Sequence, residues 1–149
     1  MRSFLAAILT AVLSLVATSA WADMIRVSSP HDVGTTLDRL AAIAETKGAT
    51  VFARIDHQAN AAGIGLEMGP SQVLIFGNPK GGTPLMRHSA SIGLDLPLRV
   101  HAFVEDGATV MMYHDPVSVA EAHGVPTDHP AVEGAAKALK GLTAAAAKP

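Results

Sequence analysis

Residues 76–86 read FGNPKGGTPLM, an apolar run that breaks into glycines, a lysine and two prolines. Gly77 and Gly82 stand at the G-x-x-x-x-G spacing of a phosphate loop, which requires Lys and Ser/Thr directly after the second glycine. Here Thr83-Pro84 follow instead, Lys80 lies inside the loop, and Pro84 has no N–H to offer a phosphate. The motif therefore gives no support to ATP or GTP. A weaker chemistry survives, in which free N–H groups near a helix start, the positive end of the helix dipole and Lys80 accept a carboxylate or small anion. The candidate ligand-binding residues are Asn78, Lys80, Gly81, Gly82 and Thr83. Turn chemistry alone also explains these residue types: Asn78 and the glycines supply turn conformations, Pro79 stiffens them and Lys80 is solvated.

Histidine supplies the second candidate chemistry. The chain has seven His and six Met, with Met111 and Met112 adjacent. Imidazole with thioether suits copper, and imidazole alone suits zinc or nickel. No H-x-x-x-H or H-E-x-x-H is present, so no helix is expected to present two ligands on one turn. Only His101 and His114, with Met112 directly across from His101, are expected close together, and they form a partial site for copper or zinc. Ordinary interface or surface histidines are the alternative, because tight sites gather three or four ligands.

Catalytic patterns are missing: the sequence has no G-x-S-x-G elbow and no spacing that pairs Glu67, Asp95, Glu105 or Asp115 with one another. An enzyme using Asp95 or Asp115 with a nearby histidine has no spacing in its favour, and the sequence leans away from an enzyme.

The elements that must position these groups follow from periodicity. Ile25–Ser28 suits a short strand, and cap-type residues at 29–32 precede a helical run through Val33, Leu37, Leu40 and Ala44 that Gly48 closes. TVFARID at 50–56 alternates as a strand, and HQANAAGIG is a short helix or turn. QVLIFG at 72–77 is apolar on both parities, which predicts a central strand covered on both faces. Thr83-Pro84 then offers an N-cap and first-turn proline for a helix reaching toward Ile92, with Gly93 as its stop.

The clearest local signal is LRVHAFVEDGATVMMYHDP, two strand-like runs joined at Asp106-Gly107. That turn pairs Glu105 with Ala108, Phe103 with Val110, His101 with Met112 and Arg99 with His114. One face of this hairpin is apolar enough for a core. The other mixes Arg99, His101, Phe103, Val110, Met112 and His114, and is expected to meet a partner or ligand. Two helical stretches follow, the second carrying Val132, Ala135, Leu139 and Leu142 on one stripe, with fraying expected after about residue 141.

The chain opens MRSFLAAILTAVLSLVATSAWADM: one cation at Arg2, a 14-residue apolar run and the small-x-small Ala20-Trp21-Ala22. This is the form of a signal peptide cleaved after Ala22, and the run is too short to span a bilayer, which takes about 20 residues. A periplasmic or secreted protein is expected, with residues 1–22 as leader and 23–149 as one domain. It has no cysteine, which excludes thiol catalysis, iron–sulfur clusters and cysteine zinc sites. The formal net charge of −2, with signs mixed along the chain, gives no footprint for nucleic acid or acidic lipid.

Three blocks, LIFGNPKGGTPLM, IGLDLPLRVHAF and YHDP, stand in this order between Leu74 and Pro116. They resemble the DUF302 family, over about Val51 to Val119. The resemblance implies a compact α/β domain that forms homodimers, and no established activity, substrate or catalytic residue. Gly77, Asn78, Pro79, Gly82, Thr83, Pro84, Leu85 and Met86 match its loop-and-helix block. Asp95, Leu96, Pro97, Tyr113, Asp115 and Pro116 match the later ones. The expected architecture is α/β (α+β): a mixed sheet of about five strands, ending in a β-hairpin, with helices mainly on one face. The expected function is a dimeric binding module for a small anionic or organic ligand, with the loop at 77–86, DLP and HDP on one rim. The alternative is a copper or zinc protein using His101, Met112 and His114.

Overall fold

Period-two alternation in TVFARID and the Asp106-Gly107 hairpin, with the continuous apolar run of SQVLIFG, builds one sheet, and the apolar stripes of helices close over one side of it. The computed structural model describes residues 23–149, and residues 1–22, where a leader is expected from sequence, lie outside the described residues. In chain order the elements are β1 (Met24–Ser29), α1 (Val33–Thr46), β2 (Thr50–Asp56), α2 (His57–Ala62), β3 (Ser71–Gly77) and α3 (Pro79–His88). A 3₁₀ turn (Ala90–Leu94), β4 (Leu98–Glu105), β5 (Ala108–His114), α4 (Pro116–Ala122) and α5 (Pro130–Ala146) follow.

The strand order is β1-β5-β4-β3-β2. Every pairing is antiparallel, so the mixed sheet expected from sequence is replaced by a purely antiparallel one. Asp106 at φ 50° and Gly107 at φ 78° supply the two left-handed residues of a type I′ turn. Around it Glu105 faces Ala108, Phe103 faces Val110 and His101 faces Met112, as the sequence predicts. The β4–β5 ladder stops at His101 and Met112, and His114 instead pairs with Met24 of β1. Beyond that rung the expected Arg99–His114 pair does not form a rung, because the two strands part.

Helices α1 and α5 cover one face, burying Leu37, Leu40 and Leu139 against Leu74, Phe76, Val100 and Met111. Full burial of each such side chain contributes about 1.5–3 kcal/mol. A second cluster, Leu85, Ile92, Val119, Val125 and Val132, joins α3, the 3₁₀ turn, α4 and the start of α5. Asp32 caps α1, accepting from the Thr35 amide and hydroxyl at 2.8 Å each. Those two donors hold its carboxyl below the ordinary carboxylate range.

β3 is an inner strand but is covered on one face only: Leu74 and Phe76 are buried, whereas Val73 and Ile75 stay half-buried. Its two-sided apolarity predicts cover on both faces, but the helices that bury Leu74 and Phe76 pack on one side alone. The open face carries Ala53, Ile55, Val73, Ile75, Phe103 and Met112, and His57 of α2 meets His101 there. α5 does not fray at Gly141. It continues to Ala146, because Leu142 and Ala146, at 4% and 0% exposure, are part of the main core.

Candidate binding pocket

The loop that opened the sequence question is mostly helix. Asn78 is the N-cap of α3, its Oδ1 accepting from the Lys80 amide at 2.9 Å, and Pro79 takes the first helical position. The helix therefore starts four residues before the Thr83-Pro84 signal, with Pro84 inside it. Asn is the stronger N-cap of the two, and Pro79 fits the first turn at no cost in hydrogen bonds. The Gly81 and Gly82 amides both donate to the Asn78 carbonyl, at 2.9 and 3.1 Å. The first-turn donors that an anion would need are thus engaged within the protein. The polar groups left facing outward here are the Lys80 ammonium and the Thr83 hydroxyl.

These residues still come together around something. Asn78, Lys80, Gly81, Gly82 and Thr83 all line a cavity of about 840 Å³ between α3, α5, the end of α1 and the sheet. Phe52, Phe76, Leu98 and Leu142 give it an apolar surface, and the small Gly134, Ala135 and Ala138 of α5 leave it open. Lys47 and Lys80 both reach its lining, and no carboxylate does among the described residues. A mostly apolar hollow with a few polar groups at one side is the usual form of a small-molecule site. The sequence missed α5 and Phe52 as walls, because no local pattern tells which helix packs beside which loop.

A second recess of about 340 Å³ opens where β4 and β5 part, and His101, Met112 and His114 line it with Asp95 and Arg99. His101 Nε2 lies 2.8 Å from Ser71 Oγ, and its ring stacks on Phe103 and meets His57 edge-on at 5.9 Å. Burial, and then the neighbouring His57, hold the His101 imidazole below its ordinary pKa. His57 was not singled out by sequence, since only the β2-β3-β4 order brings it near. Among the described residues no group of three or more His, Cys, Asp or Glu side chains is placed to hold a metal ion.

The expected single rim divides between the two hollows. Pro97 lines the large cavity, Asp95, His114 and Pro116 line the small recess, and Leu96 lines both. Asp115 caps α4 by accepting from the Val117 amide at 3.1 Å, and Glu105 pairs with Arg26. Both acids therefore have structural partners.

An antiparallel sheet with one helical layer and an apolar cavity under α3 defines a small α/β domain. The family profile described as "Domain of unknown function DUF302" matches residues 25–148, and the chain belongs to that family. The crystal structure of uncharacterized conserved protein DUF302 from Bacillus stearothermophilus has the same fold. Its TM-score is 0.66 at 19% identity, covering 83% of this chain and 94% of that one. The fluoride-specific ion channel FluC 1 of Brucella suis biovar 1 (strain 1330) is 41% identical over 103 residues, 68% of this chain and 41% of the relative. FluC 1 of Brucella abortus biovar 1 (strain 9-941) is likewise 41% identical over 103 residues, covering 68% of this chain and 38% of the relative. The chain thus spans about two fifths of the length of the curated relatives it matches.

Proposed function

We propose that this chain is an exported, dimeric binding module for a small organic molecule with an apolar body and an anionic end. The observation that carries the reading is the large cavity, whose walls are apolar and whose only charged lining residues, among those described, are Lys47 and Lys80. An apolar body gains by leaving water in such a hollow, and a carboxylate or sulfonate beside two ammonium groups keeps its solvation. A bare halide such as fluoride suits it poorly, because a small hydrated ion gains nothing from apolar walls. A role beside a fluoride channel, suggested by the relatives' names, would therefore belong to the module's organic ligand. Export rests on the leader-like residues 1–22, and amino-terminal sequencing of protein from the periplasm should begin at Asp23.

The dimer reading rests on the open sheet face. Val73, Ile75, Phe103 and Met112 lie there with both signs of charge, Arg26 and Arg99 against Glu105 and Asp95. Such a face offers apolar area and charges of both signs to a second copy across a two-fold axis.

The test is titration with 8-anilinonaphthalene-1-sulfonate, an amphipathic anion, together with native mass spectrometry of protein from its own compartment. Micromolar binding that Gly134→Leu weakens supports the reading. A probe that does not bind, or binds the variant equally, overturns it.

A second reading, copper or zinc binding, is favoured by the direct His101–Met112 rung beside His114. Metal analysis of purified protein separates the two. Copper or zinc taken up by the native chain and lost on His101→Ala with His114→Ala would support it, and unchanged uptake would end it.

A further inference from the structure

A line of polar side chains outside the proposed ligand cavity joins the 3₁₀ turn to the end of α4. His123 Nε2 lies 2.7 Å from Asp95 Oδ2, and its Nδ1 lies 2.9 Å from Ser91 Oγ. Ser89 Oγ is 3.1 Å from Ser91 Oγ. An ionised carboxylate only accepts, so Nε2 of a neutral His123 carries the hydrogen and Nδ1 presents its lone pair to the Ser91 hydroxyl. Ser91 then donates to His123 and accepts from Ser89. Arg99 Nη2, 2.9 Å from Asp95 Oδ1, fixes the carboxylate from its other side.

Exposure fits a reactive hydroxyl held by a sheltered base. Ser91 is exposed, whereas the His123 and Asp95 side chains keep only 12% and 23% of theirs. Ile92, next to Ser91, and Asp95 both line the recess of about 340 Å³, whose inner wall is Leu85, Val119 and Val132. A hydroxyl bonded to an imidazole that a carboxylate orients is the arrangement of an activated nucleophile, wherever it stands in the sequence.

We propose that Ser91 is a nucleophile, with His123 as its base and Asp95 as the positioning residue, acting on esters of carboxylic acids whose acyl chain enters the recess. Ser91 Oγ forms the bond to the acyl carbon as its proton passes to His123 Nδ1. The carbonyl electron pair moves onto oxygen, beside the Ser89 hydroxyl that lies 3.1 Å from the nucleophile. Collapse breaks the bond to the leaving alcohol, which takes the proton from His123. Water then attacks the acyl-serine through the same base, so that the sum is ester plus water giving acid plus alcohol.

The test is reaction of the purified protein with an alkyl fluorophosphonate, with the adduct located by peptide mass spectrometry, and release of p-nitrophenol from p-nitrophenyl butyrate. The expected result is one adduct, on Ser91, that Ser91→Ala abolishes. His123→Ala should slow labelling by about 10²-fold or more, the usual contribution of a general base, and added imidazole should restore part of it. A merely structural histidine would show no such rescue. Should His123→Ala fail to fold, His123→Gln serves in its place. A folded native protein that takes no adduct on Ser91, or a folded His123 variant labelled as fast as the native chain, overturns the proposal.

Discussion

Asn78 ties two junctions of the fold together: its Oδ1 caps α3 at the Lys80 amide, and its Nδ2 donates to the Gly48 carbonyl at 2.9 Å. Gly48, at φ 80°, follows the Lys47 C-cap of α1, so one side chain fixes the start of one helix against the end of another. Asn78→Ala removes a cap and leaves the Gly48 carbonyl to water. The expected loss is about 1–2 kcal/mol, from the usual cost of a lost N-cap plus one hydrogen bond, read as a lower urea midpoint with unchanged slope. The same substitution loosens the cavity wall, so binding of the anionic probe should weaken with it.

Gly134 separates stability from binding. It lies on α5 in the lining of the large cavity, and a Cβ placed there meets nothing within 4 Å. Gly134→Leu therefore has open space for its Cβ, adds apolar bulk at the cavity lining and removes a helix-interior glycine, which costs roughly 0.8–1 kcal/mol relative to Ala. The expected variant melts higher than the native protein and binds the probe at least tenfold more weakly. Higher stability with unchanged binding would place the ligand elsewhere.

What the sequence disclosed and what it hid divide along one line. Asp106-Gly107 announced the hairpin and its register because that turn acts over a few residues. The strand order, all-antiparallel pairing and open outer face of β3 depend on contacts between distant segments, which residues such as Val73 and Ile75 do not reveal by type. The loop residues 78–83 stand out in the sequence because their composition is unusual. Their amide groups proved to be engaged by Asn78 itself, since a stronger cap five residues upstream overrode the Thr83-Pro84 signal. His57 beside His101, and His123 between Ser91 and Asp95, depend on long-range packing and leave no trace in spacing.

His101 makes stability depend on pH in a definite direction. Burial and His57 lower its folded pKa below the ordinary value of 6.5. The unfolded chain then takes up the proton first as pH falls, so this contribution is fully present above about pH 6.5 and is lost between there and the lower folded value. Native protein should melt at a lower temperature at pH 5 than at pH 7.5. His101→Gln, which cannot titrate and still reaches Ser71, should show a smaller drop. An equal drop in both proteins would assign the effect to the other histidines.

Ile75 tests the second copy on the open face. It is half-buried in the middle of β3 and lies across from Arg99 of β4 and Ala53 of β2. Ile75→Glu sets a charge in the centre of the proposed interface, where an unpaired carboxylate meeting its symmetry mate is strongly unfavourable. Within one subunit the new carboxylate faces Arg99, and exposed cross-strand pairs of opposite charge are tolerated or mildly stabilising. The monomer should therefore stay folded while the dimer dissociates. Sedimentation velocity at micromolar concentration is expected to give a dimer for the native chain and a monomer for the variant, with matching circular dichroism spectra. A native monomer, or a variant that remains dimeric, would move the interface off this face.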